Sequence, residues 1–137
     1  MKVYLDSSLV LRYILNNDDG IRGIKETDVV GSSDLLIIEC KRVLQRERLE
    51  SHLSDSQYSD AVSLLDTVTD HLYLIELGRT VKRRASGSFP TVIGTLDAIH
   101  LASAALWQES DPETELRVLS YDNQLTTCAR AIGLQVG

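Results

Sequence analysis

Short β-type runs alternate with helical segments from one end of the chain to the other, and no hairpin dipeptide joins any two candidate strands. Parallel strands need long crossovers, and helices are the usual ones, so this alternation leaves an α/β domain with a mainly parallel central sheet, of about four or five strands, and helices on both faces. The strand readings are residues 2–5, 29–32, 72–75, 116–120 and 134–136. Helices are read from Ser8 to Asn16, from Ser33 or Asp34 to about Glu50, and from a Ser54-Asp55-Ser56 cap to about Val68. Further helices are read over 78–86, from a Thr95 cap through Leu96 to Gln108, and from Asp122 to Ala131 with Gly133 as the stop. A short helix is read over 21–27. No internal repeat is visible.

The 137 residues make one expected domain, 1–137, long enough to bury a core without disulfides. Cys40 and Cys128 form no CxxC pair, which fits a reduced compartment. Asp6 and Arg12 interrupt the first apolar run, so no signal-peptide core is present, and no apolar stretch approaches the ~20 residues of a membrane span. A soluble, cytoplasmic protein with no membrane partner is the expectation. With 14 Lys and Arg against 20 Asp and Glu, the net charge of −6 argues against a protein that coats nucleic acid by charge alone. It leaves room for a nucleic-acid enzyme that gathers acids to hold metal.

Four acids fall at element junctions. Asp6 closes the first strand and Asp122 follows the fourth by two residues, so both project at the carboxyl edge of the sheet, where α/β ligand sites lie. Either could instead cap the helix it precedes. Asp97 lies in the first turn of a helix apolar almost all round, where burial of a carboxylate is costly unless a cation or good donors compensate, although the helix dipole alone gives some support. Glu39 borders the apolar stripe of Leu36, Cys40, Val43 and Leu44, and an ion pair with Arg42 is its plain alternative. Taken together, carboxylates without neighbouring thiolates suit a hard cation, Mg²⁺ or Mn²⁺, which can activate water against a phosphodiester.

The segments Tyr4-Leu5-Asp6-Ser7-Ser8, Ile38-Glu39-Cys40-Lys41-Arg42-Val43-Leu44, Leu96-Asp97-Ala98-Ile99-His100-Leu101-Ala102 and Ser120-Tyr121-Asp122-Asn123-Gln124-Leu125 are similar, in order and spacing, to those of the PIN domain. More narrowly they resemble the VapC toxins of type II toxin-antitoxin systems, over essentially the whole chain. The resemblance implies a three-layer α/β/α fold and a Mg²⁺- or Mn²⁺-dependent endoribonuclease. Its metal-binding acids map onto Asp6, Glu39, Asp97 and Asp122, and its hydroxyl after the first acid maps onto Ser7, where it would help orient Asp6 or a water. It also implies an RNA substrate, a homodimer, and a small antitoxin as partner. Cys40 stands where a larger aliphatic is usual and reads as a small buried hydrophobe.

Other readings compete inside the same segments. His100 could pair with Asp97 as a metal or general-base couple, but packing and hydrogen bonding beneath the site is the stronger reading. His52 and His71 carry no argument. Lys41, Arg42, Arg46 and Arg48, and again Arg79, Lys82, Arg83 and Arg84, read as solvated faces. Alternatively, Arg42, Arg46, Arg79, Lys82 and Arg83 flank the pocket and hold RNA phosphates. Aromatic residues are only 5% of the chain, so base stacking is expected to contribute little. Tyr58, Leu64, Leu65 and Val68 belong to a core or dimer face. A PIN-like binding module that does not cut, and a phosphatase or nuclease of another nucleic acid, are the alternatives to the ribonuclease.

Overall fold

A computed structural model describes residues 1–137. Five strands, β1 (Lys2–Leu5), β2 (Val29–Ser33), β3 (Tyr73–Ile75), β4 (Leu116–Leu119) and β5 (Gln135–Val136), form one sheet in the order β3-β2-β1-β4-β5. Every pairing is parallel, with Tyr4 beside Gly31 on one side and Val118 on the other. The strand β1 is buried along its whole length, as a central parallel strand covered on both faces must be. Its side chains alternate with period two: Val3 and Leu5 enter one core cluster and Tyr4 the other.

Helices α1 (Ser7–Asn16), α2 (Leu35–Leu49) and α3 (Asp55–Asp70) cover the first face. Leu9, Val10, Leu36, Leu44 and Leu65 fill it, with Tyr58 and Val68 packed at its border. On the second face lie α4 (Arg79–Ala85), α5 (Thr95–Ser110) and α6 (Asn123–Ala131), with Leu101, Ala104, Trp107, Leu125 and Ala129 at the centre. Ala98, Trp107 and every residue from His100 to Ala105 are buried, as the nearly all-apolar sequence of α5 requires. Gly31 is needed on the strand because a Cβ there would meet the Tyr73 carbonyl at 2.7 Å and the Trp107 ring at 2.8 Å.

Element ends follow the local chemistry. Ser54 and Gln57 form a reciprocal capping box at α3, and Gly133 ends the turn after α6 with φ +88°. Two expectations are corrected. Residues 21–27 do not form a helix; a single 3₁₀ turn, Asp19–Ile21, gives way to turns. There Asp18 accepts from the Gly20 N–H and Asp28 from the Lys25 N–H, local bonds that compete with a helix in a stretch that also contains Gly23. Thr95 is the first residue of α5 rather than its cap, which is Gly94. At α2, Asp34 holds the cap position, yet its carboxylate accepts from the Leu77 N–H, and the Ser33 hydroxyl accepts from the Leu35 N–H instead.

The chain leaves β1 through α1 toward β2, on one side, while β4 lies on the other side of β1. The carboxyl ends of β1 and β4 therefore border the crevice in which such sheets bind ligands. No helix is long and apolar enough to cross a membrane.

Candidate active site

Asp6, at the carboxyl end of β1, is only 4% exposed. One oxygen, Oδ2, accepts from the Ser8 hydroxyl at 2.8 Å and the Ser120 hydroxyl at 2.6 Å. Oδ1 lies 3.7 Å from His100 Nε2. Ser120 links the two strand ends further by accepting from the Asp122 N–H at 3.0 Å. Asp122 in turn caps α6, its Oδ1 accepting from the Gln124 and Leu125 N–H groups. That is the plain alternative read from the sequence, and it engages one oxygen only. Ser7 begins α1 and makes no hydrogen bond to Asp6; the hydroxyls that hold this carboxylate belong to Ser8 and Ser120.

Glu39, on α2, is paired across the sheet edge with His100 of α5 and not with Arg42: Oε1 lies 2.5 Å from His100 Nε2. On its other side, His100 Nδ1 is 2.7 Å from the Tyr4 hydroxyl, which accepts from the buried Ser33 N–H at 3.1 Å. Burial raises the Tyr4 phenol well above its ordinary range, so it keeps its proton. With the imidazole neutral, the network runs from Ser33 N–H through Tyr4 O–H to Nδ1 and Nε2–H donates to Glu39; with it protonated, Nδ1–H donates to the Tyr4 oxygen instead. Burial would lower the imidazole pKa, but the bond to Glu39 and the negative fields of Glu39, Asp6 and Asp97 outweigh it and hold the group above its ordinary value. His100 thus packs beneath the acids as expected, bonded to Glu39 and not to Asp97.

Asp97, in the first turn of α5, makes no side-chain hydrogen bond. Burial, then the charges of Asp122 and Asp6 with a further push from Glu39, raise its carboxyl to about 6, against the opposing pull of His100. Four acids from distant parts of the sequence thus share one field. They do not close into a tight cage: the one trio of His and acid ligand atoms within 4.8 Å of one another is Glu47, Glu50 and His52, at the opposite end of α2. Each of the four nevertheless has at least one oxygen free of hydrogen bonds: Asp6 Oδ1, Glu39 Oε2, Asp122 Oδ2 and both of Asp97. Cys40 is fully buried, and its thiol is pushed up to about 12 by burial and by Glu39 and Asp6, so it offers no thiolate. An all-carboxylate set in mutual repulsion fits Mg²⁺ or Mn²⁺, which retain waters and do not require every acid as a direct ligand.

Arg42, Arg46, Arg79, Lys82 and Arg83 are all exposed, and none has a carboxylate within 4 Å. Arg84 and Arg48, by contrast, pair with Glu109 and Asp55. Sequence reasoning missed Ser8, Ser120 and the Tyr4 link. The signal available for Tyr4 was strand alternation, which turns it away from Val3 and Leu5 toward the helix that carries His100.

No family model and no curated protein sequence matches the chain. Solved structures do. VapBC2 from Rickettsia felis, bound to a DNA fragment from its promoter, superposes with a TM-score of 0.69 at 12% identity, covering 100% of this chain and 98% of that one. VapBC-1 from nontypeable Haemophilus influenzae gives 0.65 at 12% identity, with 100% and 97% covered. The chain has a PIN-like fold. PAE2754 from Pyrobaculum aerophilum is similar in fold at TM-score 0.63 and 20% identity, covering 99% of this chain and 83% of that one. Within the PIN-like fold, Asp6, Glu39, Asp97 and Asp122 stand on four separate elements or their caps around the β1/β4 crevice.

Proposed function

We propose that the chain is a Mg²⁺- or Mn²⁺-dependent endoribonuclease, the toxin of a type II toxin-antitoxin pair. The observation that carries the reading is the set of four carboxylates with uncommitted oxygens in one electrostatic field at the sheet's carboxyl edge. The likeness in fold to chains from two VapBC structures supports it. Asp6, Glu39, Asp97 and Asp122 hold the cation, which supplies Lewis-acid stabilisation of a phosphodiester and an activated water when bound. Ser8 and Ser120 fix the rotamer of Asp6, and His100 fixes that of Glu39, so that the remaining oxygens stay uncommitted. Ser7, mapped from the resemblance, follows Asp6 directly at the start of α1. Arg42, Arg46, Arg79, Lys82 and Arg83 hold RNA phosphates without reading sequence. If four of the 20 acids serve the cation, 16 remain against 14 bases, so the net charge no longer opposes an RNA partner. The same reading implies a second copy of the chain and a small antitoxin as partners.

Induced expression in a bacterial host of the wild type beside Asp6→Asn, with RNA ends mapped, tests the reading. Arrest and new RNA ends with the wild type alone are the expected result. Mg²⁺-dependent cleavage that survives in purified Asp6→Asn and Asp97→Asn would overturn the assignment of the acids. A wild type that never cuts RNA would overturn the activity.

A further inference from the structure

Beside the four acids lies an ordered cationic and aromatic pair that belongs to none of the readings above. Tyr121 directly precedes Asp122 and remains 37% exposed in a chain with few aromatic residues. Its backbone N–H donates to the Ser8 hydroxyl at 3.0 Å, the same hydroxyl that binds Asp6. Its own hydroxyl donates at 2.5 Å to Asp18, which is fixed by the Gly20 N–H. Gly20 has to be glycine for this, because a Cβ there would fall 2.4 Å from the tyrosine oxygen. Over the ring, 4.1 Å from its centroid, lies the guanidinium of Arg12, from the second turn of α1. Arg12 is exposed and has no carboxylate within 4 Å; Asp18 feels its charge but does not pair with it, so the guanidinium is held in place with its donors free.

A guanidinium stacked on a ring loses less freedom when it forks onto a phosphate, and the ring that orients it also offers a sequence-tolerant surface to a base. We propose that Arg12 and Tyr121 form a subsite for the nucleotide beside the scissile phosphate of a single-stranded RNA. Arg12 takes the adjoining phosphodiester, and Tyr121 positions Arg12 and stacks on the base. This inference rests on the ribonuclease reading and deepens it by placing the strand along the β1/β4 crevice, from the acids toward α1. The solvent-exposed arginines of α2 and α4 lack any comparable aromatic brace.

The test is fluorescence anisotropy of a labelled single-stranded oligoribonucleotide, titrated with the non-cleaving Asp97→Asn protein over a salt series, together with the cleavage kinetics of the same changes in wild type. Arg12→Gln should weaken binding about 5-fold or more and lower the salt slope by about 0.7, the value for one phosphate contact on a single strand. KM should rise while kcat changes little. Arg12→Lys should restore the slope but only part of the affinity, since an ammonium does not stack flat. Tyr121→Ala should lose about 5-fold or more through the base. Thermal melting of Arg12→Gln checks that the exposed change leaves the fold intact. RNA binding whose affinity and salt slope ignore Arg12→Gln would overturn the subsite and leave the ribonuclease reading standing. A wild type that neither binds nor cuts RNA would overturn both.

Discussion

Tyr4→Phe isolates one oxygen atom at the base of the site. The ring is 0% exposed and packs edge-on against His100 with centroids 5.8 Å apart, contacts that phenylalanine keeps. No large cavity opens, so the packing contribution is small. What disappears is the acceptor of the buried Ser33 N–H and the partner of His100 Nδ1. A buried polar group left without its partner costs about 1–3 kcal/mol, and two are orphaned, so the expected loss is about 2–6 kcal/mol. That is a large share of the ~5–15 kcal/mol of a domain this size. Urea denaturation in EDTA, followed by circular dichroism, should show the midpoint falling with the m-value unchanged. A loss below about 0.5 kcal/mol would refute the claim that this hydroxyl serves two buried partners.

Gly31→Ala should destabilise the chain by about 2 kcal/mol or more, because the new methyl meets backbone as well as the Trp107 ring; a melting temperature equal to wild type would contradict the close approach. In EDTA, stability should fall as pH rises from 5 to 8. Asp97, lifted to about 6, and His100, held above its ordinary value, both bind protons more tightly in the fold, and that stabilisation is lost as pH rises through their folded values. The lowered carboxylates Asp18, Glu109 and Asp111 act only at more acidic pH, so a curve rising over this window would be the wrong sign. Millimolar Mn²⁺ should raise the melting temperature of wild type more than that of Asp97→Asn; equal shifts would detach Asp97 from the cation. Cys40 and Cys128, both 0% exposed, should react with a thiol reagent only on unfolding, which a timed assay with and without urea reads directly.

Much of this architecture is legible in residue order. Alternation of strand and helix signals leads to the parallel sheet, and the largely apolar run from Leu96 to Trp107 leads to a mostly buried α5. The stretch over 21–27 is misread because its periodicity is too short to outweigh Asp18 and Asp28, whose side chains satisfy nearby backbone N–H groups. For the site, the junction positions of Asp6 and Asp122 follow from strand ends. The partner of Glu39 does not: Arg42 is the neighbour that helical spacing offers, whereas His100 is 61 residues away and meets Glu39 only through packing of α5 on the sheet. The same limit hid Ser120, 114 residues from Asp6. Aromatic frequency, too, says little about where an aromatic stands, and Tyr121 stands next to an acid of the site.

The pairing of Asp6 with Ser120 also orders events in time. At about 5–20 residues per second, synthesis separates these two positions by roughly 6–23 s. A chain that has reached only Leu119 carries Asp6 with one of its two hydroxyl partners still unmade, and with neither Tyr121 nor Asp122 in existence. The first of the four carboxylates to leave the ribosome is thus among the last to be set. The carboxylate cluster therefore cannot exist in a growing chain before Ser120 and Asp122 have been added and have emerged.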